Sequence, residues 1–154
     1  MSTIEQKFRE QGLEPNMAPQ PLANYVRMQR DGQTIYLSGA SAIKDGKPMV
    51  QGKLGAEVSL EQGYQVARIA ALTLLSVMQQ ELGDLDRVEQ IVKLTGFVAC
   101  TPDFYEQPAV IDGASDLLVE VFGERGRHAR SAVGVCALPL NLPVEVELVA
   151  RIKE

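Results

Sequence analysis

The chain has 154 residues, 45% hydrophobic and only 5% aromatic, and carries a formal net charge of -5. That supplies enough apolar material for one mostly aliphatic core without disulfides or structural metal. The acidic balance opposes non-specific attraction to nucleic-acid phosphates, and no segment approaches the ~18 consecutive apolar residues of a membrane span.

Taken in chain order, residues Thr3 to Gln11 read as a short amphipathic helix with Ile4 and Phe8 on one face and Gly12 as its stop. Pro15, Pro19 and Pro21 then mark an extended stretch. A β-hairpin is expected from Tyr25 to Ser38, with Asp31-Gly32 as a two-residue turn. Asp45-Gly46 marks a second turn, and the run to Gly55 reads as loop. The clearest helix starts at Ser59, which with Gln62 has the spacing of a capping box. Val66, Ile69, Ala70, Thr73, Leu74, Val77 and Met78 follow at helical steps, and Gly83 ends the run. A strand over Val88 to Cys100 and a helix over Val110 to Phe122 come next, the helix stopping at Gly123. Strands over Arg130 to Ala137 and Val144 to Lys153 close the chain. In the last of these, Val144, Val146, Leu148, Ala150 and Ile152 share one face.

This order predicts an α+β fold, a mixed sheet with two long helices on one face, formed by residues 1–154 as a single domain. Residues 1–22 are an N-terminal extension of that domain. One layer of helices covers only one face of a sheet. Gly96, Phe97 and Val98, with the alternation Ala132, Gly134, Cys136, suggest at least partly apolar cover on both faces and so point to an oligomer.

Standard nucleotide fingerprints are absent. Cys100 and Cys136 read as buried thiols of a reduced, cytoplasmic protein whose polar start, Met1 to Phe8, has no apolar leader. With one His and two Cys in no ligand-spaced cluster, no metal is expected. His128 lies in a Gly- and Arg-rich loop and reads as solvated. On pattern alone, Arg130 is the partner of some glutamate, and Glu145 and Glu147 form a solvated strand face. Ser38 bonds nearby backbone in the same bland reading.

One segment says more. His128-Ala129-Arg130-Ser131-Ala132-Val133-Gly134-Val135, then Leu138-Pro139, then Val144-Glu145-Val146-Glu147 resembles the C-terminal signature of the RidA (YjgF, endoribonuclease L-PSP-like) family. Tyr25, Ser38-Gly39, Phe97-Val98 and Asp103-Phe104 are similar to further family landmarks. The resemblance implies a chorismate-mutase-like fold assembled as a homotrimer, with active sites between subunits and no cofactor. It also implies hydrolysis of reactive 2-imino and enamine acids to a 2-keto acid and ammonia. In that picture Arg130 binds the substrate carboxylate through its planar fork. Glu145 positions water as general base, and Tyr25, Ser38, Gly39, Asp112 and Ala132 line the pocket. The alternatives are a trimeric carboxylate-binding protein without turnover and, weakest in so acidic a chain, an endoribonuclease.

The sequence departs from the family pattern in three places. His128 stands where many relatives have Pro, Asp112 stands at the position of a pocket Asn, and the N-terminal extension is longer. An aspartate at 112 either repels an anionic substrate or pairs with Arg130.

Overall fold

The computed structural model describes residues 18–154 together with Gln6, Arg9, Glu10 and Gly12. The helix expected over Thr3 to Gln11 falls largely outside the described residues, although Gln6, Arg9 and Glu10 are helical. The strands are β1 (Met28–Asp31), β2 (Thr34–Ala40), β3 (Ile43–Lys44), β4 (Lys47–Pro48), β5 (Val88–Ala99), β6 (Ala129–Val135) and β7 (Val144–Ile152). The two long helices are α1 (Leu60–Leu82) and α2 (Gln107–Phe122). A five-stranded sheet runs β1-β2-β7-β5-β6, antiparallel except for the parallel β5–β6 pair. The expected α+β architecture is the observed one.

Local chemistry explains most boundaries. Ser59 Oγ accepts from the Gln62 backbone N–H and the Gln62 side chain accepts from the Ser59 N–H, so the capping box forms in full. Helix α1 closes on Gly83 in the left-handed region, φ 80°. Helix α2 begins three residues before the expected Val110, since Pro108 needs no N–H partner in a first turn. The hairpin turn is displaced by one residue from expectation. Asp31 pairs with Thr34, so Gly32-Gln33 forms the turn and only Gly32 has positive φ. A glycine-first loop suits a type II′ turn. The Asp-Gly chemistry expected at 31–32 operates instead at Asp45-Gly46, where both residues have positive φ and join β3 to β4. What reads as loop before Gly55 thus contains a short second hairpin.

Helix α1 is buried from Ala70 to Met78 without a break, beyond a single amphipathic stripe. One side rests on the sheet, where Ile35, Leu94, Val146, Leu148 and Ala150 are buried. The other packs on α2. That approach is close: a Cβ on Gly113 would lie 2.0 Å from the Tyr64 carbonyl oxygen. Along β7 the alternation is as read, with Val144, Val146, Leu148, Ala150 and Ile152 in the core. The far face of the sheet keeps Tyr36 and Val133 exposed. No helix among the described residues is long and apolar enough to cross a membrane.

Candidate functional site

The two residues at the centre of the sequence argument occupy different clefts. Arg130 follows the first residue of edge strand β6, opposite Leu94 of β5, and turns toward α2. Glu145 follows the first residue of β7, opposite Phe97 on the other side of β5. The offset is three residues along β5 (97 minus 94) plus two strand spacings across it, roughly 10 Å in each direction. Arg130 faces the helix side, whereas Glu145 alternates with the buried Val144 and Val146 and faces away. Within one chain the two side chains do not meet.

Around Arg130 the helix supplies the partners. Asp112 and Ser115, three apart on α2, face β6 together. The Arg130 Nη1–H group donates to Asp112 Oδ1 at 2.7 Å and to Ser115 Oγ at 3.2 Å. Asp112 therefore pairs with Arg130, the second of the two outcomes open to it. Nη1 is engaged, and among the described residues no partner meets Nε or Nη2. That free edge is the one that grips a carboxylate with two parallel bonds.

His128 is not the solvated loop residue expected. The turn Gly123–Gly126 folds back on α2, half-burying the imidazole, with Nδ1 2.6 Å from the Gly126 carbonyl and Nε2 2.9 Å from Ser115 Oγ. Burial holds its pKa below the ordinary 6.5; the Gly126 hydrogen bond pulls upward, and the charge on Arg130 adds to the lowering. A cleft of about 660 Å³ joins these groups with Asp116 and Glu120. Both acids are held: Tyr64 Oη donates to Asp116 at 2.6 Å, and Arg68 grips both oxygens of Glu120 at 3.3 and 2.6 Å. The Asp116 bond raises the Tyr64 pKa above 10.0. Sequence reading missed Ser115, whose only signal is its helical spacing from Asp112.

Glu145 sits in a cavity of about 410 Å³ that also takes in Tyr25, Ser38 and Gly39. These four predicted residues do come together. The walls include Pro19 to Leu22, so the described end of the N-terminal extension is part of this site. The β2–β7 register shifts between Leu37 and Ala40. There, Gly39 leaves room for the carboxylate: an added Cβ would lie 2.8 Å from Glu145 Cδ. Burial pushes the Glu145 pKa above 4.5, and the charge of Glu147 adds to the rise. Ser38 Oγ donates to the Val26 carbonyl at 2.6 Å, as its backbone-bonding reading anticipates, and Tyr25 is exposed. Ala132 is half-buried on β6 opposite Gly96, two residues along from Arg130.

The cysteines correct another expectation. Cys100 is partly buried and Cys136 exposed, because β6 ends at Val135 and Cys136 lies beyond the paired strand. Among the described residues no group of three His, Cys, Asp or Glu side chains stands where it could hold a metal ion.

A mixed sheet of this order, backed by two helices, defines a chorismate-mutase-like α+β protein. Residues 5–152 match the family described as "YjgF/chorismate mutase-like, putative endoribonuclease", and the chain belongs to this YjgF (RidA) family. It is 44% identical over 142 residues to Protein TCP17 of Trypanosoma cruzi, covering 92% of this chain and 89% of that protein. To a 2-iminobutanoate/2-iminopropanoate deaminase of Dermatophagoides farinae it is 29% identical over 138 residues, covering 89% and 92%. A Shewanella oneidensis crystal structure named as a putative endoribonuclease superposes with TM-score 0.91 at 36% identity, covering 98% of this chain and 100% of that one.

Proposed function

We propose that the protein is a hydrolytic deaminase of reactive 2-imino and enamine acids, working as a homotrimer whose sites combine two subunits. The observation that carries this reading is the state of Arg130: Nη1 is held by Asp112 and Ser115, while no partner among the described residues meets the Nε/Nη2 edge. A planar carboxylate fits that edge. Glu145 supplies the other half. A half-buried carboxylate with a raised pKa is a better proton acceptor for an attacking water than an ordinary one.

In the reaction, water adds to C2 of the C=N bond while Glu145 takes its proton and returns it to the nitrogen. The resulting carbinolamine then expels ammonia and leaves a 2-keto acid. Arg130 fixes C2 through the carboxylate, which is catalysis by positioning. Because Arg130 and Glu145 lie in separate clefts of one chain, the reading requires one subunit's Arg130 to meet a neighbour's Glu145, with Tyr25, Ser38 and Gly39 coming from the Glu145 side. The deaminase named among the relatives supports the substrate class.

The test generates imino acids with an amino-acid oxidase and follows their decay. Wild-type protein is expected to accelerate decay, and a folded Arg130→Ala variant to lose that acceleration. A wild-type protein that binds 2-keto acids but leaves decay unchanged across a panel of imines would instead mark a carboxylate-binding protein.

A further inference from the structure

The Gly126 carbonyl can only accept, so the 2.6 Å contact requires a proton on His128 Nδ1. In the neutral ring Nε2 is then an acceptor, and the Ser115 hydroxyl must donate to it across 2.9 Å. With its hydrogen committed, Ser115 Oγ offers a lone pair to Arg130 Nη1 at 3.2 Å. Every proton in this chain has one consistent direction: Arg130 to Ser115, Ser115 to His128, His128 to Gly126.

We propose that Ser115 and His128 are positioning residues for Arg130, a neutral His128 orienting the Ser115 hydroxyl so that it holds the guanidinium with its free edge toward a bound carboxylate. This rests on the reading that Arg130 binds carboxylates. The groups around His128 are Ser115 on α2 (with Asp112, Asp116 and Glu120 across the cleft), Arg130 on β6, and the turn with Gly126 and the Glu124–Arg127 ion pair.

Protonation of His128 reverses the chain. Both ring nitrogens become donors, Nε2–H takes the Ser115 lone pair, and the hydroxyl hydrogen must turn away. Arg130 then shares its acceptor with a second cation. The added charge would by itself attract an anion, but His128 lies beyond Ser115 from the guanidinium and the solvent of the cleft screens that attraction. Weakening of that orienting bond, now competing with a second donor and no longer directed by the Ser115 hydroxyl, is worth up to roughly tenfold in affinity. The bond therefore outweighs the charge, and acid weakens the anion seat.

The probe is pyruvate, titrated into the full-length protein between about pH 5 and about pH 8, with ¹⁵N-histidine NMR on the same samples. Wild-type affinity is expected to fall, by up to roughly tenfold, as His128 takes up its proton. Ser115→Ala should bind weakly with no dependence on pH, and Ser115→Thr should restore both affinity and pH dependence. His128→Gln, whose amide oxygen accepts the same bond, should bind like the neutral wild type at every pH. Wild-type affinity that stays flat or tightens in acid, or a Ser115→Ala variant that binds like wild type, overturns the proposal. If wild type binds no pyruvate at any pH, the carboxylate reading of Arg130 fails, and the spectra alone decide on the hydrogen-bond chain. A proton on Nδ1 and a His128 titration displaced by Ser115→Ala uphold it. A proton on Nε2, or an unmoved titration, overturns it.

Discussion

The Arg130 cleft and the Glu145 cavity treat charge in opposite ways. At Arg130 the fold provides partners: Asp112 and Ser115 meet one nitrogen of the guanidinium, and the neighbouring acids Asp116 and Glu120 each have a donor of their own. At Glu145, among the described residues, no hydrogen-bond or ion-pair partner meets the carboxylate. The carboxylate is half-buried beside Gly39 under residues 19–22, and its pKa rises because of that burial. On the proposed reading the first arrangement holds a charge still for binding, and the second keeps a charge reactive at some cost in stability. One chain carries both halves but does not join them.

The largest expected effect comes from Glu145→Gln, which should lower kcat for imine hydrolysis by about 10²–10⁴-fold through loss of the general base. The same variant should be more stable near neutral pH. The folded carboxyl has its pKa above the 4.5 of the unfolded chain, so between those values the folded state binds more protons and stability falls as pH rises. At neutral pH the charge is a net cost, and its removal should raise Tm by about 1–3 °C. Thermal unfolding should show that gain near pH 7 and not below the unfolded pKa. An unchanged or lower Tm at pH 7 would mean that the carboxylate has a stabilising partner in the folded state.

Mixing tests whether the two halves meet across subunits. Arg130→Ala and Glu145→Gln proteins, each inactive alone, should regain about a quarter of wild-type activity when unfolded and refolded together in equal amounts, since one interface in four then joins an intact Arg130 to an intact Glu145. Activity that stays at zero in well-folded mixed trimers would place both residues in one subunit's site and contradict the two-cleft arrangement.

Gly39→Ala sharpens the Glu145 side. Its Cβ would lie 2.8 Å from Glu145 Cδ, so the carboxylate must move. A displacement of this kind should lower kcat roughly tenfold with KM nearly unchanged, as steady-state assay of the variant would show. On the Arg130 side the smallest effect belongs to Asp112→Asn. The amide oxygen can still accept from Nη1, but the competing negative charge is gone. KM for an anionic imine should fall about two- to fivefold, with Tm unchanged within about 1 °C, because the ion pair is partly exposed.

Much of this was legible from the residues in order. The capping box at Ser59-Gln62, the stop at Gly83 and the alternation from Val144 to Ile152 are local rules, satisfied by neighbours within a few positions. Arg130 and Glu145 were singled out because the segment holding them matches a family signature, and Asp112 because it departs from one. Asp31-Gly32 failed as the turn because strand register is set by which side chains reach the core, and that register moves the positive φ to Gly32 alone.

What the tertiary structure decided depends on contacts between residues far apart in the chain. Ser115 gained meaning only when α2 was laid beside β6, and His128 only when the turn at 123–126 folded back onto that helix. Nothing in the local composition announces either contact. The Glu145 pKa likewise rises because residues 19–22, Gly39 and β7 converge around it, over a hundred residues from one end of the chain to the other. The sequence determined the elements and the chemistry available to them, since helix, strand and turn preferences act over a few bonds. Packing decided which charge is paired and which is buried, because solvation and hydrogen bonding depend on distance in space.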